Sequence, residues 1–314
     1  MNLLDDLPED LKEVLTETIC KTSKVSLVVL AHVNKYWYLM SQKYGILNKI
    51  RKRLYSHLIA AEGSIELLQW AKSNDFEWDE RTCSEAARYG HLQVLKWLRS
   101  NGCPWNWKTC RHAAKNGHFE ILKWARSMGC DWNHYICAGA AFSGHLEVLK
   151  WARVNGCEWD SKTCTAAAKN GHLEILKWAR SEGCPWNHLT CASAAKNGHL
   201  EILKWAISEG CPWNHITCAS AAKYGHLEIL KWARSEGCEW NSYTCANAAG
   251  SGHLEILKWA RSKGCKWDSM TCSWAAKNGH FEVLQWARSN GCEWDSHTES
   301  LAKQKWSHIF SLKN

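Results

Sequence analysis

Residue spacing constrains this chain more than any other feature, because one glycine recurs every 27 positions through most of its length. We call the residues at one position of successive repeats a column. The glycine column is Gly63, Gly90, Gly117, Gly144, Gly171, Gly198, Gly225, Gly252 and Gly279. Two tryptophan columns, Trp70 to Trp286 and Trp78 to Trp294, keep the same step and hold 18 of the 22 tryptophans. A fixed period of this length predicts a stack of short structural repeats.

The repeats divide the 314 residues into a short N-terminal module and a long array. Full repeats fill 79–294, a degenerate first repeat covers 52–78, and 295–314 would form a C-terminal cap. Residues 1–51 lie outside the period and are predicted to form a three-helix module. We predict an all-α fold, in which 52–314 is a solenoid of about nine helix-turn-helix repeats without a sheet.

The repeat at 187–213 shows why two helices are expected. Asn187 belongs to a column of Asn and Asp, the residue types that accept backbone hydrogen bonds at a helix start. The first helix is predicted over 188–197 and the second over 199–209. Gly198 and Gly210 follow these helices and supply the left-handed residue that ends a helix.

Residue types that hardly vary between repeats indicate the buried faces. In the first helix these are Thr190, Cys191, Ala194 and Ala195, which share one helical face and are small enough for close helix packing. In the second helix the predicted apolar stripe is Leu200, Leu203, Trp205 and Ala206, of which Trp205 belongs to a tryptophan column. On its outer side, Lys177 and Arg180 are predicted to pair with Glu174.

The repeat resembles the ankyrin motif. Residues 198–206 read GHLEILKWA and 210–214 read GCPWN, similar to the ankyrin G-H-L-E-V-V-K-L-L and G-A-D-V-N. Residues 190–195 resemble a shortened T-P-L-H-x-A-A. The usual ankyrin repeat has 33 residues, so the resemblance implies loss of the β-hairpin finger and of the start of the first helix. Short repeats rich in Trp and Cys resemble those of large DNA viruses of protists and of some algae.

Residues 7–37 resemble an F-box, the module that docks on the Skp1 subunit of cullin-type ubiquitin ligases. The resemblance rests on a leading L-P-x-x-L, a middle apolar helix and a V-x-x-x-W ending. It implies docking through Leu7, Pro8, Leu11, Leu15, Val33 and Trp37. The alternative is a helical cap that covers the open apolar end of the repeats. Both interpretations stay open at this point.

Composition favours a chain that works inside the cell as a monomer. The N-terminal residues are acidic where a secretory signal is basic and apolar, and no apolar run is long enough to span a bilayer. We expect a cytoplasmic protein (host cytoplasm if viral), with the nucleus as the alternative, and no membrane partner. A net charge of +8 without a basic arm does not indicate a nucleic-acid ligand.

Sixteen of the 17 cysteines lie in two columns, Cys83 to Cys272 and Cys103 to Cys292. In a reducing compartment we expect them to be free, buried thiols. The spacing leaves open a disulfide between the two columns, for example between Cys184 and Cys191. Zinc or catalysis is not expected, because eight equivalent Cys and His sites contradict a unique centre. We therefore predict no enzyme activity and no cofactor, with His199 bonding to backbone.

Two variable columns on the first helices are the candidate binding residues, since the fold fixes the residues around them. The members from the first column are Arg81, Lys108, Tyr135, Lys162, Leu189, Ile216, Tyr243 and Met270. Those from the second column are His112, Asn247 and Trp274. Neutral drift on a solvated face is the alternative, but drift favours polar replacements, whereas several members are apolar anchors of the type found in interfaces.

These features predict a protein–protein interaction adaptor. In the preferred interpretation it is an F-box substrate receptor, whose repeats hold a target protein on a concave face for ubiquitination. The alternative is an ankyrin-repeat scaffold or inhibitor without a ligase partner, in which residues 1–51 only cap the array.

Overall fold

The computed structural model describes residues 56–73 and 76–306, apart from the side chain of His297. Within these ranges the chain forms helices joined by short turns, and no strand occurs. The helices are α1 Ser56–Glu62, α2 Ile65–Ser73, α3 Glu80–Arg88, α4 Leu92–Ser100, α5 Trp107–Lys115, α6 Phe119–Ser127, α7 His134–Ser143, α8 Leu146–Val154, α9 Ser161–Lys169, α10 Leu173–Ser181, α11 His188–Lys196, α12 Leu200–Ser208, α13 His215–Lys223, α14 Leu227–Ser235, α15 Ser242–Gly250, α16 Leu254–Ser262, α17 Ser269–Asn278, α18 Phe281–Ser289 and α19 Ser296–Lys305.

Two compact units make up the chain, Met1–Ile136 and Cys137–Asn314, and we call them the N-terminal part and the C-terminal part. Odd-numbered helices are the first helices of the repeats, and even-numbered helices are the second. In the described residues of both parts, each repeat therefore has the predicted helix-turn-helix form. The all-α prediction is confirmed for the residues that the structure describes.

Local chemistry sets the helix ends as predicted. The Asn187 side chain accepts a hydrogen bond from the Leu189 N–H at 3.0 Å, which satisfies one of the free donors at the start of α11. Gly198 and Gly210 have φ values of +81° and +78°, the left-handed conformation expected after a helix. Observed helices stop slightly short of the predicted bounds, at Lys196 and Ser208, because the next residue in each case adopts a capping conformation.

Small side chains allow the first helices to pack on one another. In the N-terminal part α1, α3 and α5 contact in sequence, and in the C-terminal part α9, α11, α13, α15, α17 and α19 do the same. The contact side chains include Cys191, Ala194 and Ala195, which have no exposed surface. Because none of these side chains is larger than a thiol, neighbouring helix backbones can approach closely. The predicted inner face of the first helix is confirmed.

The second helices bury a different stripe from the predicted one. Ile202, Leu203 and Ala206 are at most 3% exposed, whereas Trp205 is only half-buried. Residues at i, i+1 and i+4 share one helical face, and Trp205 lies beside that face. Leu203 and Ala206 were therefore predicted correctly, whereas the prediction was wrong for Leu200 and Trp205, which are only half-buried, and it missed Ile202. Aliphatic side chains fill the core, and the tryptophan borders it.

Tryptophans from the two columns pack against each other at the edge of the core. The Trp186 and Trp205 rings lie 5.9 Å apart in a T-shaped arrangement. The Arg180 guanidinium lies 4.0 Å from the centre of the Trp186 ring, and Arg180 also donates to the Cys184 carbonyl. Arg180 thus makes a cation–π contact instead of the predicted pair with Glu174. Lys177 does pair with Glu174, at 2.9 Å.

Histidines link several repeats to the preceding one within each part. The Nε2 atom of His199 lies 3.2 Å from the carbonyl oxygen of Lys169, 30 residues earlier in the chain. A carbonyl can only accept, so Nε2 carries the proton and donates. The same ring occupies the space beside Gly171, where an added Cβ would lie 3.0 Å from Cε1 of His199. The predicted bond to backbone is confirmed, and its partner belongs to the neighbouring repeat.

The sixteen cysteines in the described residues are buried, as predicted. Their interacting pairs are Cys164 with Cys184 and Cys191 with Cys211, instead of Cys184 with Cys191. Each pair joins a first helix to the turn that ends the same repeat. Hydrogen bonding to its partner thiol, together with burial, raises the pKa of Cys191. A thiol held in its protonated form is a weak nucleophile.

Candidate protein-binding face

Binding residues predicted from the two variable columns lie on the outer side of the first helices, and we call this side the first-helix face. Five of them are exposed: Arg81, Lys108, Lys162, Leu189 and Tyr243. The others are half-buried: Tyr135, Ile216, Met270, His112, Asn247 and Trp274. Each column member follows the capping Asn or Asp by two positions or by six. The caps therefore hold these side chains at the start and middle of each first helix.

In the N-terminal part, the face has an aromatic centre. The rings of Trp107 and Tyr135 stack at 5.4 Å with planes 24° apart, and the Arg111 guanidinium lies 5.9 Å from the Tyr135 ring. His112 Nδ1 lies 3.2 Å from the carbonyl oxygen of Ser84, and burial lowers the pKa of His112. The lowered pKa favours the neutral form of His112 at pH 7.

Sequence reasoning missed Trp107. It is one of the four tryptophans outside the two regular columns, together with Trp37, Trp274 and Trp306. A tryptophan that breaks the repeat pattern on a variable first-helix position was a signal that could have found it.

In the C-terminal part, the structure brings three predicted residues into one cavity. A cavity of about 300 Å³ between α13 and α15 is lined by Ile216, Tyr243 and Asn247, together with His215, Ala219, Ser220 and Lys223. The Asn247 amide donates to the Tyr243 carbonyl at 2.9 Å, which fixes the amide at the cavity wall. A volume of this size accommodates one large side chain of a partner.

Tyr243 is held by its neighbours and still exposed. Its ring centre lies 6.4 Å from that of Trp274, and 46% of its surface remains open to solvent. Trp274 in turn packs on Gly250, where a side-chain Cβ would come within 3.0 Å of the Trp274 Cβ. Gly250 therefore provides the space that lets Trp274 lie beside Tyr243. Leu189, on α11, is also 46% exposed.

Lysines border the C-terminal face, a feature that sequence reasoning also missed. Lys169, Lys196 and Lys223 are the last residues of α9, α11 and α13. Lys196 Nζ lies 4.8 Å from the centre of the Tyr224 ring, and hydrogen bonding to Lys196 lowers the pKa of Tyr224. Their signal in the sequence is a column of basic residues seven positions after the first variable column.

The second helices present a different surface. Their outward side carries pairs between a lysine and the glutamate three residues before it, such as Lys204 with Glu201 at 3.1 Å and Lys231 with Glu228 at 2.7 Å. Charges of both signs alternate there, and these lysines each have a glutamate partner. A further open cavity of about 430 Å³ lies at the turns and is lined by Gly225, Gly252, His253, Glu255 and Glu282 among others.

Throughout 56–73 and 76–306, His, Cys, Asp and Glu side chains do not form any group of three or more that could hold a metal ion. None of the helices in this part of the chain combines the length and apolar character needed to cross a membrane.

A comparison with family models supports the ankyrin resemblance over part of the chain. Residues 83–126 match the family described as ankyrin repeats (many copies). Among solved structures, the chain is similar to the crystal structure of the human ASB11 ankyrin repeat domain, with 18% identity and a TM-score of 0.41. That similarity covers 50% of this chain and 84% of the other. No curated protein matches the chain. The F-box residues Leu7, Pro8, Leu11, Leu15, Val33 and Trp37 lie outside the described residues, so docking through them stays a prediction.

Proposed function

We propose that this chain is a protein–protein interaction adaptor whose first-helix face binds a target protein. The observation that carries the proposal is the cavity that unites Ile216, Tyr243 and Asn247. These residues were selected only because they vary between repeats, yet they form one concave apolar site. Side chains that drift without function would not be expected to assemble a cavity of side-chain size.

Residue types on the two sides of the repeats support this choice of face. Leu189 and Tyr243 are each 46% exposed, and large apolar side chains of this kind are typical anchors at the centre of interfaces. On the second helices the exposed positions hold ion pairs such as Lys177 with Glu174. Exposed ion pairs contribute little to affinity and mainly keep a surface soluble. A protein partner therefore gains most by binding the first-helix face.

Our proposal extends to a ubiquitin-ligase role, in which residues 7–37 recruit Skp1 and the repeats hold the substrate. Its support is the L-P-x-x-L and V-x-x-x-W pattern of that segment. A scaffold or inhibitor that has no ligase partner is the alternative, and residues 1–51 then only cap the repeats. We place the adaptor in the cytoplasm, of a host cell if the chain is viral, because free buried thiols suit a reducing compartment.

A matched pair of double variants tests the binding face. We expect Leu189→Ala combined with Tyr243→Ala to reduce capture of the target strongly, since both changes remove exposed apolar anchors. The control is Lys177→Ser combined with Lys204→Ser on the second helices, which should leave capture nearly unchanged. Both variants alter exposed or half-exposed side chains, so the helical circular dichroism of each should match the parent. Loss of capture in the lysine control alone would contradict the proposal.

Co-purification tests the proposed ligase contact. The full chain is expected to retain Skp1, whereas the fragment 52–314 is not. Leu7→Ala combined with Pro8→Ala should weaken retention while the helical signal of the repeats stays the same. Equal retention of Skp1 by the full chain and the fragment would assign residues 1–51 to capping alone.

A further inference from the structure

Charge is distributed unevenly between the two helices of a repeat in the C-terminal part. The first helices α9, α11, α13, α15 and α17 contain no aspartate or glutamate. They carry five lysines, Lys162, Lys169, Lys196, Lys223 and Lys277. The second helices of the repeats in this part, by contrast, each have a glutamate in their first turn; they are α8, α10, α12, α14, α16 and α18. A lysine at a helix end also favours the helix dipole, but the dipole does not explain the exclusion of carboxylates from the whole helix.

The lysines at the ends of α9, α11 and α13 are not neutralised within the structure. Lys169, Lys196 and Lys223 are exposed, and they take part in none of the ion pairs found among the described residues. On α10, by contrast, Lys177 has Glu174 at 2.9 Å. Unpaired lysines on one face leave a positive potential there, and a partner of opposite charge would relieve it.

Two of these lysines lie beside the same aromatic ring. Lys196 and Lys223 Nζ lie 4.8 Å and 5.7 Å from the centre of the Tyr224 ring. The charge of Lys169 also helps to lower the pKa of Tyr224, although Lys169 Nζ itself lies 5.6 Å from the centre of the Phe142 ring. Lys223 lines the apolar cavity beside Ile216 and Tyr243 as well. A positive patch and a cavity for one apolar side chain are therefore adjacent.

We propose that the C-terminal first-helix face binds an acidic protein segment, with one large apolar side chain in the cavity formed by Ile216, Ala219 and Tyr243. Aspartate or glutamate carboxylates of that segment bind Lys169, Lys196 and Lys223. This inference rests on the proposed function and specifies the chemistry of the partner.

A protein segment fits this surface better than a nucleic acid does. Ile216 and Ala219 give the cavity an aliphatic wall, which suits a leucine or phenylalanine side chain. The five first helices contain no arginine, the residue that most often reads phosphates and base edges through paired hydrogen bonds. Carboxylates, in contrast, need only the point charges that lysines supply.

Selection from a random 12-residue peptide display library on the full chain tests this inference. We expect the enriched peptides to combine several aspartates or glutamates with one large apolar residue. Lys196→Ser combined with Lys223→Ser should weaken binding of a synthetic enriched peptide about tenfold, since two charge contacts are lost. The matched control, Lys204→Ser combined with Lys231→Ser, removes the same net charge from the second helices and should change affinity less than about twofold.

The possible outcomes separate this inference from the proposed function. Enriched peptides that are neutral or basic, yet lose binding with Tyr243→Ala, would overturn the acidic partner and leave the binding face in place. Peptides whose binding is unchanged by both Tyr243→Ala and the lysine changes would overturn the acidic partner and the binding face together. A selection without any enrichment would do the same. Binding of a 20-nucleotide oligothymidylate is the remaining outcome. If it binds more tightly than the best peptide and its binding depends on Lys196 and Lys223, the partner is a nucleic acid and not a protein.

Discussion

Glycines in the repeat meet two separate requirements, a left-handed backbone and space for a neighbouring side chain. The contribution of each requirement to the free energy of unfolding can be measured. Gly225 has φ +84° and faces the His253 ring, where an added Cβ would lie 3.0 Å from Cε1. Gly237 has φ +83°, and an added Cβ would meet nothing within 4 Å. Both positions require the left-handed conformation, but only Gly225 also makes room for the next repeat. Conformation and packing can therefore be separated at these two residues.

We predict that Gly225→Ala destabilises the chain more than Gly237→Ala. Left-handed backbone at an alanine costs about 1–2 kcal/mol in both variants. In Gly225→Ala the methyl group also displaces His253 from its 3.1 Å hydrogen bond to the Lys223 carbonyl, which adds about 1 kcal/mol. Urea denaturation of the two variants gives the comparison. Equal losses would mean that the histidine contact between repeats contributes nothing to stability.

At the scale of a helix, the second helices separate a fully buried stripe from a half-buried one. Leu203 has no exposed surface, whereas Trp205 lies at the edge of the core against Trp186. We predict that Leu203→Ala costs about 2–5 kcal/mol of unfolding free energy, as for other buried leucines. Trp205→Ala should cost less than Leu203→Ala, because solvent already reaches the indole. Thermal or chemical denaturation of both variants decides the order, and the reverse order would place the tryptophan in the core.

Helix ends were predictable from sequence, and contacts between helices were not. Asn187 and Gly198 act through hydrogen bonds and backbone conformation within a few residues, so their roles follow from residue type and position. The half-buried state of Trp205 depends on which aliphatic residues fill the core around it. The position of Lys196 and Lys223 beside the Tyr224 ring depends on the stacking of neighbouring repeats. The residues of the candidate face were identified from their variation, but the cavity between α13 and α15 emerged only from the structure.

Cysteines test the account across the whole chain, because they occur in every full repeat. Sixteen of the 17 are buried and free in the described residues. Hydrogen bonding to Cys211 and burial raise the pKa of Cys191, and equivalent contacts raise the pKa of Cys164 and Cys218. At neutral pH these thiols stay protonated and inaccessible, so they should not react with a thiol reagent in the native chain.

We predict that a colorimetric thiol reagent titrates at most one cysteine of the native chain and all 17 after unfolding without reductant. Raising the pH to 9 while the chain stays folded should add few reactive thiols, because burial keeps the reagent away from both columns and the raised pKa values of Cys164 and Cys191 keep these thiols protonated. Several fast-reacting thiols in the native chain would contradict the buried columns. Fewer than 17 after unfolding would reveal disulfides.

Site-specific photo-crosslinking tests most directly whether the first-helix face is the binding surface. The photoreactive residue p-benzoylphenylalanine would replace Leu189 or Tyr243 on that face, and Val154, which is 87% exposed at the end of a second helix, in the control. In an extract of the cells in which the chain acts, our account predicts a discrete protein adduct from positions 189 and 243 and none from position 154. An adduct from position 154, with none from the other two positions, would contradict it.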